Sequence, residues 1–268
     1  MNPAETAARG LAAVRGKHPM VHHITNSVVM NLTANITLCL GAAPVMAACI
    51  QESAEMVRHA GALLLNIGTL DPALVKSMIA AGNAANSAGI PVILDPVGTG
   101  ATLLRTEAAF TLLKELDISV ICGNAGEILA LAGADGKVRG VDSMERLDRR
   151  VDVVSAYAGM LDCVIAVTGE VDIVTDGTRV VRVSNGHPLM GYVTGTGCGA
   201  TTAIACFAAA VDDPLEAAAG ALICYGIAGE AAAAAASGPG TFVPYFLDAL
   251  AGLDSGMVAR LARAEELC

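Results

Sequence analysis

Short aliphatic runs separated by helical segments constrain the fold of this chain more than any other feature. Four runs are apolar almost throughout, and polar or glycine-containing residues bound each: residues 62–66, 91–95, 118–121 and 163–168. Continuous apolar runs of this length are typical of strands that are buried on both faces of a parallel sheet. Because helical segments lie between them, the pattern predicts right-handed βαβ units. We therefore expect a three-layer α/β fold with a mostly parallel central sheet flanked by helices.

Local signals predict the ends of several helices before residue 100. Residues 21–24 form a short strand candidate, after which Ser27 is suited to cap a helix that Gly41 ends. Asp71 and Pro72 predict the start of another helix, since proline is favoured at the first helical position.

The later segments contain turn signals and a predicted helical tail. Residues 123–127 predict a turn, residues 133–141 a loop, and Ser143 a helix cap. Asp176-Gly177 between two β-rich runs predicts a hairpin. Everything after Gly197 is expected to be helical. No repeat or linker divides the chain, so we expect one domain over residues 1–268.

Composition excludes several classes of protein. The chain is 54% hydrophobic and 16% charged, which excludes disorder. Its formal net charge of −10 argues against nucleic acid or an anionic membrane as a partner. The eight cysteines form no Cys-x-x-Cys pair, which argues against a zinc site. Most of the cysteines lie inside apolar runs, and together with a polar N-terminus this favours a reduced, cytoplasmic location.

A glycine-rich segment at residues 195–199 is the strongest candidate for a binding site. Three glycines alternate with Thr196 and Cys198, and an alanine-rich helical segment follows at once. A helix start of this kind presents unpaired N–H groups and favours an anion such as phosphate. A Walker A loop is excluded, because neither Gly-Lys pair is followed by Ser or Thr. We expect the Cys198 thiol to lose its proton more easily than a free cysteine.

Other polar segments are expected at the same edge of the sheet, since ligands bind at the carboxyl ends of parallel strands. Asp95 and Glu127 follow aliphatic strands and suit a Mg²⁺ held partly by water and substrate phosphate, although each could instead cap a helix. Thr168 is suited to contact a nucleotide or to form a turn. Asn26 and Met46 follow the first two strand candidates and are candidates for the substrate pocket.

Six segments spread along most of the chain resemble the hydroxyethylthiazole kinase family of the ribokinase-like superfamily. They are His23-Ile-Thr-Asn26, Gly41-Ala-Ala-Pro-Val-Met46, Leu94-Asp-Pro-Val-Gly98, Gly123-Asn-Ala with Glu127, Val167-Thr-Gly169 and Val193-Thr-Gly-Thr-Gly-Cys198. The resemblance implies a ribokinase-like fold and transfer of the ATP γ-phosphate to the alcohol of 4-methyl-5-(2-hydroxyethyl)thiazole, for thiamine synthesis. It also implies Mg²⁺ and a homotrimer with active sites between subunits.

The resemblance also implies roles for particular residues. Met46, Asn26 and Gly195 would bind the thiazole alcohol. Thr168, Gly197 and the residue at position 122 would bind ATP. Asp95 and Glu127 would serve Mg²⁺ and the phosphates. Cys198 would lie where the substrate hydroxyl is deprotonated, either as the proton acceptor or as a small residue that admits the alcohol.

One position departs from the family pattern. Cys122 stands where the family usually has an arginine that holds ATP phosphates. Either another cation substitutes, ATP binds weakly, or the phosphate donor differs, and we expect a raised KM for ATP. Two alternatives to the thiazole kinase remain open. One is a related kinase of another small alcohol such as a hydroxymethylpyrimidine, and the other is a non-catalytic small-molecule binding protein.

Overall fold

Nine strands form one continuous sheet in the computed structural model, which describes residues 2–134 and 147–267. The strands are β1 Met20–Ile24, β2 Ala43–Val45, β3 Ala62–Asn66, β4 Val92–Asp95, β5 Val120–Asn124, β6 Val164–Thr168, β7 Asp172–Thr175, β8 Val180–Val183 and β9 Ala264–Leu267. Their order across the sheet is β2-β1-β3-β4-β5-β6-β7-β8-β9. The first six strands of this order are parallel, whereas β7, β8 and β9 are antiparallel to their neighbours.

Helices cover both faces of the sheet. On one face lie α1 Pro3–Lys17, α2 Met30–Leu40, α8 Thr196–Ala208, α9 Pro214–Ala235, α10 Pro239–Gly252 and α11 Ser255–Leu261. On the other lie α3 Ser53–Met56, α4 Pro72–Ser87, α5 Leu103–Glu115, α6 Ala125–Ala134 and α7 Leu147–Leu161. The predicted three-layer architecture with a mostly parallel sheet is therefore confirmed.

Each central strand supplies two hydrophobic cores because successive side chains point to opposite faces. In β3, Leu64 belongs to the core beneath α8 and α9, whereas Leu63 and Leu65 belong to the core beneath α4 and α5. All three leucines are at most 1% exposed. Burial on both faces explains why the strand sequences are continuously apolar.

Helix α9 has 22 residues and is long and apolar enough to cross a membrane by length and composition. Of its most apolar window, 78% is buried inside the protein. The helix packs against α1, α8 and α10, so its alanine-rich sequence permits close helix-on-helix contact.

Most predicted helix and hairpin signals act as expected. Gly41 adopts a φ of 96° and donates its N–H to carbonyls at the end of α2. Asp71 accepts hydrogen bonds from the first amides of α4. Gly177, with a φ of 93°, turns the chain between antiparallel β7 and β8.

Three local predictions are wrong. Ser27 does not cap α2, because that helix begins at Met30 without a side-chain cap. The turn expected at residues 123–127 is absent: Gly123 and Asn124 belong to β5, since pairing with β6 outweighs the glycine signal. The tail is not wholly helical, because β9 pairs with β8 at the sheet edge. The predicted cap Ser143 and most of the predicted loop at 133–141 lie outside the described residues.

Candidate active site

Five neighbouring strands carry a polar residue at or just beyond their carboxyl ends. In sheet order these residues are Asn26, Asn66, Asp95, Asn124 and Thr168. Asn66 lies directly opposite Asp95, and Asn124 lies opposite Thr168. Helix α8 begins above this edge and packs on β3, β4 and β5. The fold therefore brings the strand ends and the glycine-rich helix start together, as the sequence predicts.

A buried hydrogen-bond network joins these strand ends to Cys198. Asn26 Nδ2 donates to Asn66 Oδ1 at 2.7 Å and lies 3.7 Å from Cys198 Sγ. Asn66 Nδ2 donates to Asp95 Oδ2 at 2.6 Å and to Cys198 Sγ at 3.2 Å. Thr201, one turn further along α8, donates to Asp95 Oδ2 at 3.1 Å. Asn26, Asp95 and Cys198 therefore belong to one cluster.

The expectation of an acidic thiol at Cys198 is wrong. Burial, together with the neighbouring Asp95 carboxylate, raises the pKa of this thiol to about 12. These two effects outweigh the favourable helix N-terminus. The same burial raises the pKa of the Asp95 carboxyl to about 7, with Glu127 contributing, against hydrogen bonds from Thr201, Cys198 and Asn66 that lower it. The thiol therefore carries its proton at neutral pH.

The first turn of α8 presents unpaired backbone amides. Its first internal hydrogen bond runs from Gly199 N to Gly195 O at 2.8 Å, so the amides of Thr196, Gly197 and Cys198 have no partner within the helix. The macrodipole adds partial positive charge at the same point. This turn is suited to hold an anion.

A different physical reason explains glycine at each of the three positions of this turn. Gly195 has a φ of 92°, and a Cβ there would lie 2.9 Å from Val29. Gly199 leaves room for the Tyr225 hydroxyl, which donates to Thr196 O at 2.8 Å. A Cβ on Gly197 would meet nothing within 4 Å. Internal packing thus explains Gly195 and Gly199, whereas the open space beside Gly197 suits a ligand.

Glu127 closes the other side of the site. Its Oε1 accepts from Gly98 N at 2.8 Å and its Oε2 accepts from Asn124 N at 2.9 Å. The Glu127 amide in turn donates to Asn124 Oδ1 at 3.0 Å, so α6 starts with a reciprocal cap. Both readings of Glu127 therefore coexist: it caps a helix and faces Asp95 closely enough to raise the Asp95 pKa.

The two carboxylates fit a partly hydrated divalent cation. Within residues 2–134 and 147–267, no lysine or arginine forms an ion pair with Asp95 or Glu127. The same part of the chain contains no cluster of three or more His, Cys, Asp or Glu side chains able to cage a metal. Two unneutralised carboxylates match Mg²⁺, which keeps several waters and shares its remaining ligands with substrate phosphates.

A cavity of about 720 Å³ opens beside the first turn of α8. Thr168 and Gly169 line one wall, and Thr196 and Gly197 line another. A smaller, mainly apolar pocket of about 230 Å³ shares Thr168 and continues between α6 and α7. The larger volume is in the range of small-molecule and cofactor sites.

Of the residues predicted for the site, Thr168 and Gly197 line this cavity and the others do not, Cys122 and Met46 among them. Cys122 is 1% exposed, and this burial is the main reason that the pKa of its thiol is well above the ordinary value. The negative charge of Asp95 is the second reason. The Asp172 and Glu127 carboxylates raise the pKa of this thiol as well, so the electrostatic field at position 122 is negative. Met46 follows the edge strand β2, one strand beyond Asn26, and is half-buried.

The sequence argument missed three residues of the site. Asn66 ends an aliphatic strand just as Asp95 does, and this shared position at a strand end is the signal that could have identified it. Asp172 accepts from Gly169 N at 2.9 Å beside the cavity, and burial raises the pKa of its carboxyl to about 7. Tyr225 lies on α9, and nothing in its local sequence predicts its contact with α8.

Another cavity, of about 660 Å³, lies at the opposite edge of the sheet, where the parallel strands β4, β5 and β6 begin. Asp117, Asp176 and Arg179 are among its lining residues, and it contains none of the residues predicted for the site. Arg179 is already held by two carboxylates, those of Asp176 and Asp213. The cavity beside α8 is therefore the better candidate for the active site.

Comparisons with known proteins agree with this geometry. The hydroxyethylthiazole kinase family matches residues 11–256. Hydroxyethylthiazole kinase of Desulfatibacillum aliphaticivorans is 49% identical over 267 residues, covering 100% of each chain. That of Rubrobacter xylanophilus is 55% identical over 251 residues, covering 93% of each.

Solved structures give the same result. A hydroxyethylthiazole kinase protein from Pyrococcus horikoshii OT3 has a TM-score of 0.90 at 41% identity, covering 97% of this chain and 98% of that one. A ribokinase-like superfamily protein from Enterococcus faecalis matches with a TM-score of 0.59 at 15% identity, covering 92% and 81%, and shares the fold alone. The chain has the ribokinase-like fold and belongs to the hydroxyethylthiazole kinase family.

Proposed function

We propose that the chain, acting as one kinase domain over residues 1–268, transfers the γ-phosphoryl group of ATP to the hydroxyl of 4-methyl-5-(2-hydroxyethyl)thiazole. The phosphate ester would enter thiamine synthesis. One observation carries this proposal: the Asp95 carboxylate and the Cys198 thiol belong to one hydrogen-bonded cluster at the first turn of α8, and Thr196 and Gly197 of that turn line a cavity large enough for a nucleotide. Family membership supports the same acceptor.

The phosphates would lie against the first turn of α8. Backbone amides at a helix start stabilise the charge that moves onto the phosphoryl oxygens during transfer. The open space beside Gly197 permits this approach, and Gly195 sets the angle of the turn. Thr168 lines both the main cavity and the apolar pocket, so it would lie between the phosphates and the nucleoside.

Asp95 and Glu127 would hold Mg²⁺. The ion would neutralise the negative charge of the phosphates. No lysine or arginine is paired with either carboxylate among the described residues, so these side chains supply no positive charge there. Hydrogen bonds fix each carboxylate before any ligand arrives: Asp95 through Asn66 and Thr201, and Glu127 through two backbone amides.

The acceptor alcohol would approach Cys198 from the side of Asn26, with Met46 and Gly195 as further contacts. The neutral thiol favours the second of the two roles expected for Cys198, that of a small group that admits the alcohol without repulsion. A thiolate base would require a lower pKa than burial beside Asp95 permits. A largely dissociative phosphoryl transfer needs positioning more than a strong base.

Two further features belong to the proposal. The first is a homotrimer with sites between subunits. Val28 is 66% exposed and Tyr192 is 78% exposed, and both lie close in sequence to site residues, where a second copy would cover them. Light scattering at several protein concentrations tests the mass. The second is a cytoplasmic location, which the unpaired cysteines of the described residues favour.

Product analysis tests the function. The protein is incubated with Mg·ATP and the thiazole alcohol, or with a hydroxymethylpyrimidine, and ADP and the phosphate ester are measured. We expect stoichiometric ADP and thiazole phosphate, a loss of turnover in Asp95→Asn, and a smaller loss in Cys198→Ala. Preferential phosphorylation of the pyrimidine would favour the related kinase. Alcohol binding without ADP would favour a binding protein.

A further inference from the structure

Asn66 is the most completely bonded polar side chain of the site. It is 1% exposed and ends β3 beside Asp95. Its Oδ1 accepts from Gly68 N at 2.9 Å and from Asn26 Nδ2 at 2.7 Å. Its Nδ2 donates to Asp95 Oδ2 at 2.6 Å and to Cys198 Sγ at 3.2 Å. Two donors and two acceptor positions are thus all used, which is the full capacity of the amide.

The backbone fixes which way this amide faces. The N–H of Gly68 can only donate, so the oxygen of Asn66 must face Gly68 and the nitrogen must face the site. Gly68 also packs tightly on Asn26, since a Cβ added at Gly68 would lie 2.6 Å from Asn26 Nδ2. The amide is therefore held from behind by a rigid segment and cannot turn without breaking several contacts.

The two N–H groups of Asn66 point at groups on different elements. Asp95 lies at the end of β4, whereas Cys198 lies in the first turn of α8. One amide therefore sets the distance between a strand-end carboxylate and the helix start. Thr201 also donates to Asp95, but it lies on α8 itself.

We infer that Asn66 is a positioning residue for phosphoryl transfer. Its Nδ2 holds Asp95 and Cys198 at a fixed distance from each other, while its Oδ1 holds Asn26. This inference rests on the proposed kinase function and adds a residue to it. Asn66 acts through these neighbours and not by touching a substrate. Its loss misplaces reacting groups by fractions of an ångström, and a misplacement of about 1 Å costs roughly 100-fold in rate.

The test compares Asn66→Ala and Asn66→Asp with the wild type. The alanine removes all four hydrogen bonds. The aspartate has nearly the same shape and keeps both acceptor contacts, but its second oxygen replaces the two donated bonds and faces the Asp95 carboxylate. It therefore tests the donor side of the amide where the alanine variant folds poorly. We expect kcat per native molecule to fall about 10- to 100-fold in both, with KM for ATP and for the thiazole alcohol within about threefold of wild type.

Asn86→Ala is the matched control. The Asn86 amide makes two hydrogen bonds to the backbone of Asp117 at the opposite edge of the sheet, at 2.8 and 3.0 Å. We expect this variant to lose stability and keep its kcat. Wild-type kcat per native molecule in either Asn66 variant overturns the inference, and so does a loss carried by KM. A wild-type protein that does not phosphorylate the thiazole alcohol instead refutes the proposed function.

Discussion

Alanine at Gly197 is expected to damage the nucleotide site without damaging the fold. A Cβ at this position meets nothing within 4 Å, and the residue lies in the first turn of α8 with an ordinary backbone angle. The free energy of unfolding should stay within about 1 kcal/mol of wild type, since alanine suits a helix better than glycine. The new methyl group would occupy the space through which a phosphate reaches the amides.

The expected kinetic loss follows from the contacts that the methyl group prevents. A hydrogen bond to a charged group contributes about 1.5–3 kcal/mol, so losing one lowers kcat/KM for ATP by about 10- to 100-fold. Urea denaturation and steady-state kinetics on the same preparation measure both quantities. A Gly197→Ala protein with wild-type kcat/KM for ATP would refute the placement of the phosphates on this turn.

Gly195→Ala is the comparison variant. A non-glycine residue at its φ of 92° costs about 1–2 kcal/mol, and its Cβ would lie 2.9 Å from Val29 and 3.0 Å from Leu32. We therefore expect Tm to fall by roughly 2–8 °C in this variant alone. A Tm that falls in Gly195→Ala but not in Gly197→Ala separates the packing role of the first glycine from the binding role of the second.

Three further variants test other parts of the site and the fold. Cys122→Arg places a guanidinium in the negative field of Asp95, Asp172 and Glu127. We expect its KM for ATP to fall below that of the wild type, and an unchanged KM would contradict the expected role of position 122. Tyr225→Phe removes the hydrogen bond from the tyrosine hydroxyl to Thr196 O. We expect kcat/KM for ATP to fall severalfold and the free energy of unfolding to fall by about 1 kcal/mol. Unaltered kinetics would show that this hydrogen bond does not shape the turn. Burial lowers the pKa of His23 to about 3, so only the unfolded chain binds a proton at this residue as the pH falls below 6.5. The free energy of unfolding should therefore drop by about 2 kcal/mol between pH 6.5 and 5. Urea titrations of His23→Gln test this cause, and a variant whose stability falls with pH as steeply as that of the wild type would contradict it.

The sequence predicts the sheet well where local signals and tertiary packing agree. Aliphatic runs such as residues 62–66 are strands because both faces of the sheet are covered. The rule that parallel strands end at one edge then places Asp95 and Thr168 at the same edge of the sheet. The start of α8 follows from its glycines in the same way.

The failures share one physical cause: contacts between distant segments override local patterns. Gly123 forms a strand because β6 pairs with it, and β9 forms because β8 leaves an open edge. The pKa of Cys198 depends on burial and on Asp95, which is 103 residues away in the chain (198 minus 95). Tyr225 reaches α8 only through helix packing, so no local sequence signal predicts it.

A crystal structure with Mg²⁺, a non-hydrolysable ATP analogue and the thiazole alcohol tests the central claim most directly. The account predicts the γ-phosphate within hydrogen-bond distance of the Gly197 amide, the metal between Asp95 and Glu127, and the alcohol beside Cys198. A nucleotide bound instead in the cavity around Arg179, at the opposite edge of the sheet, would contradict it.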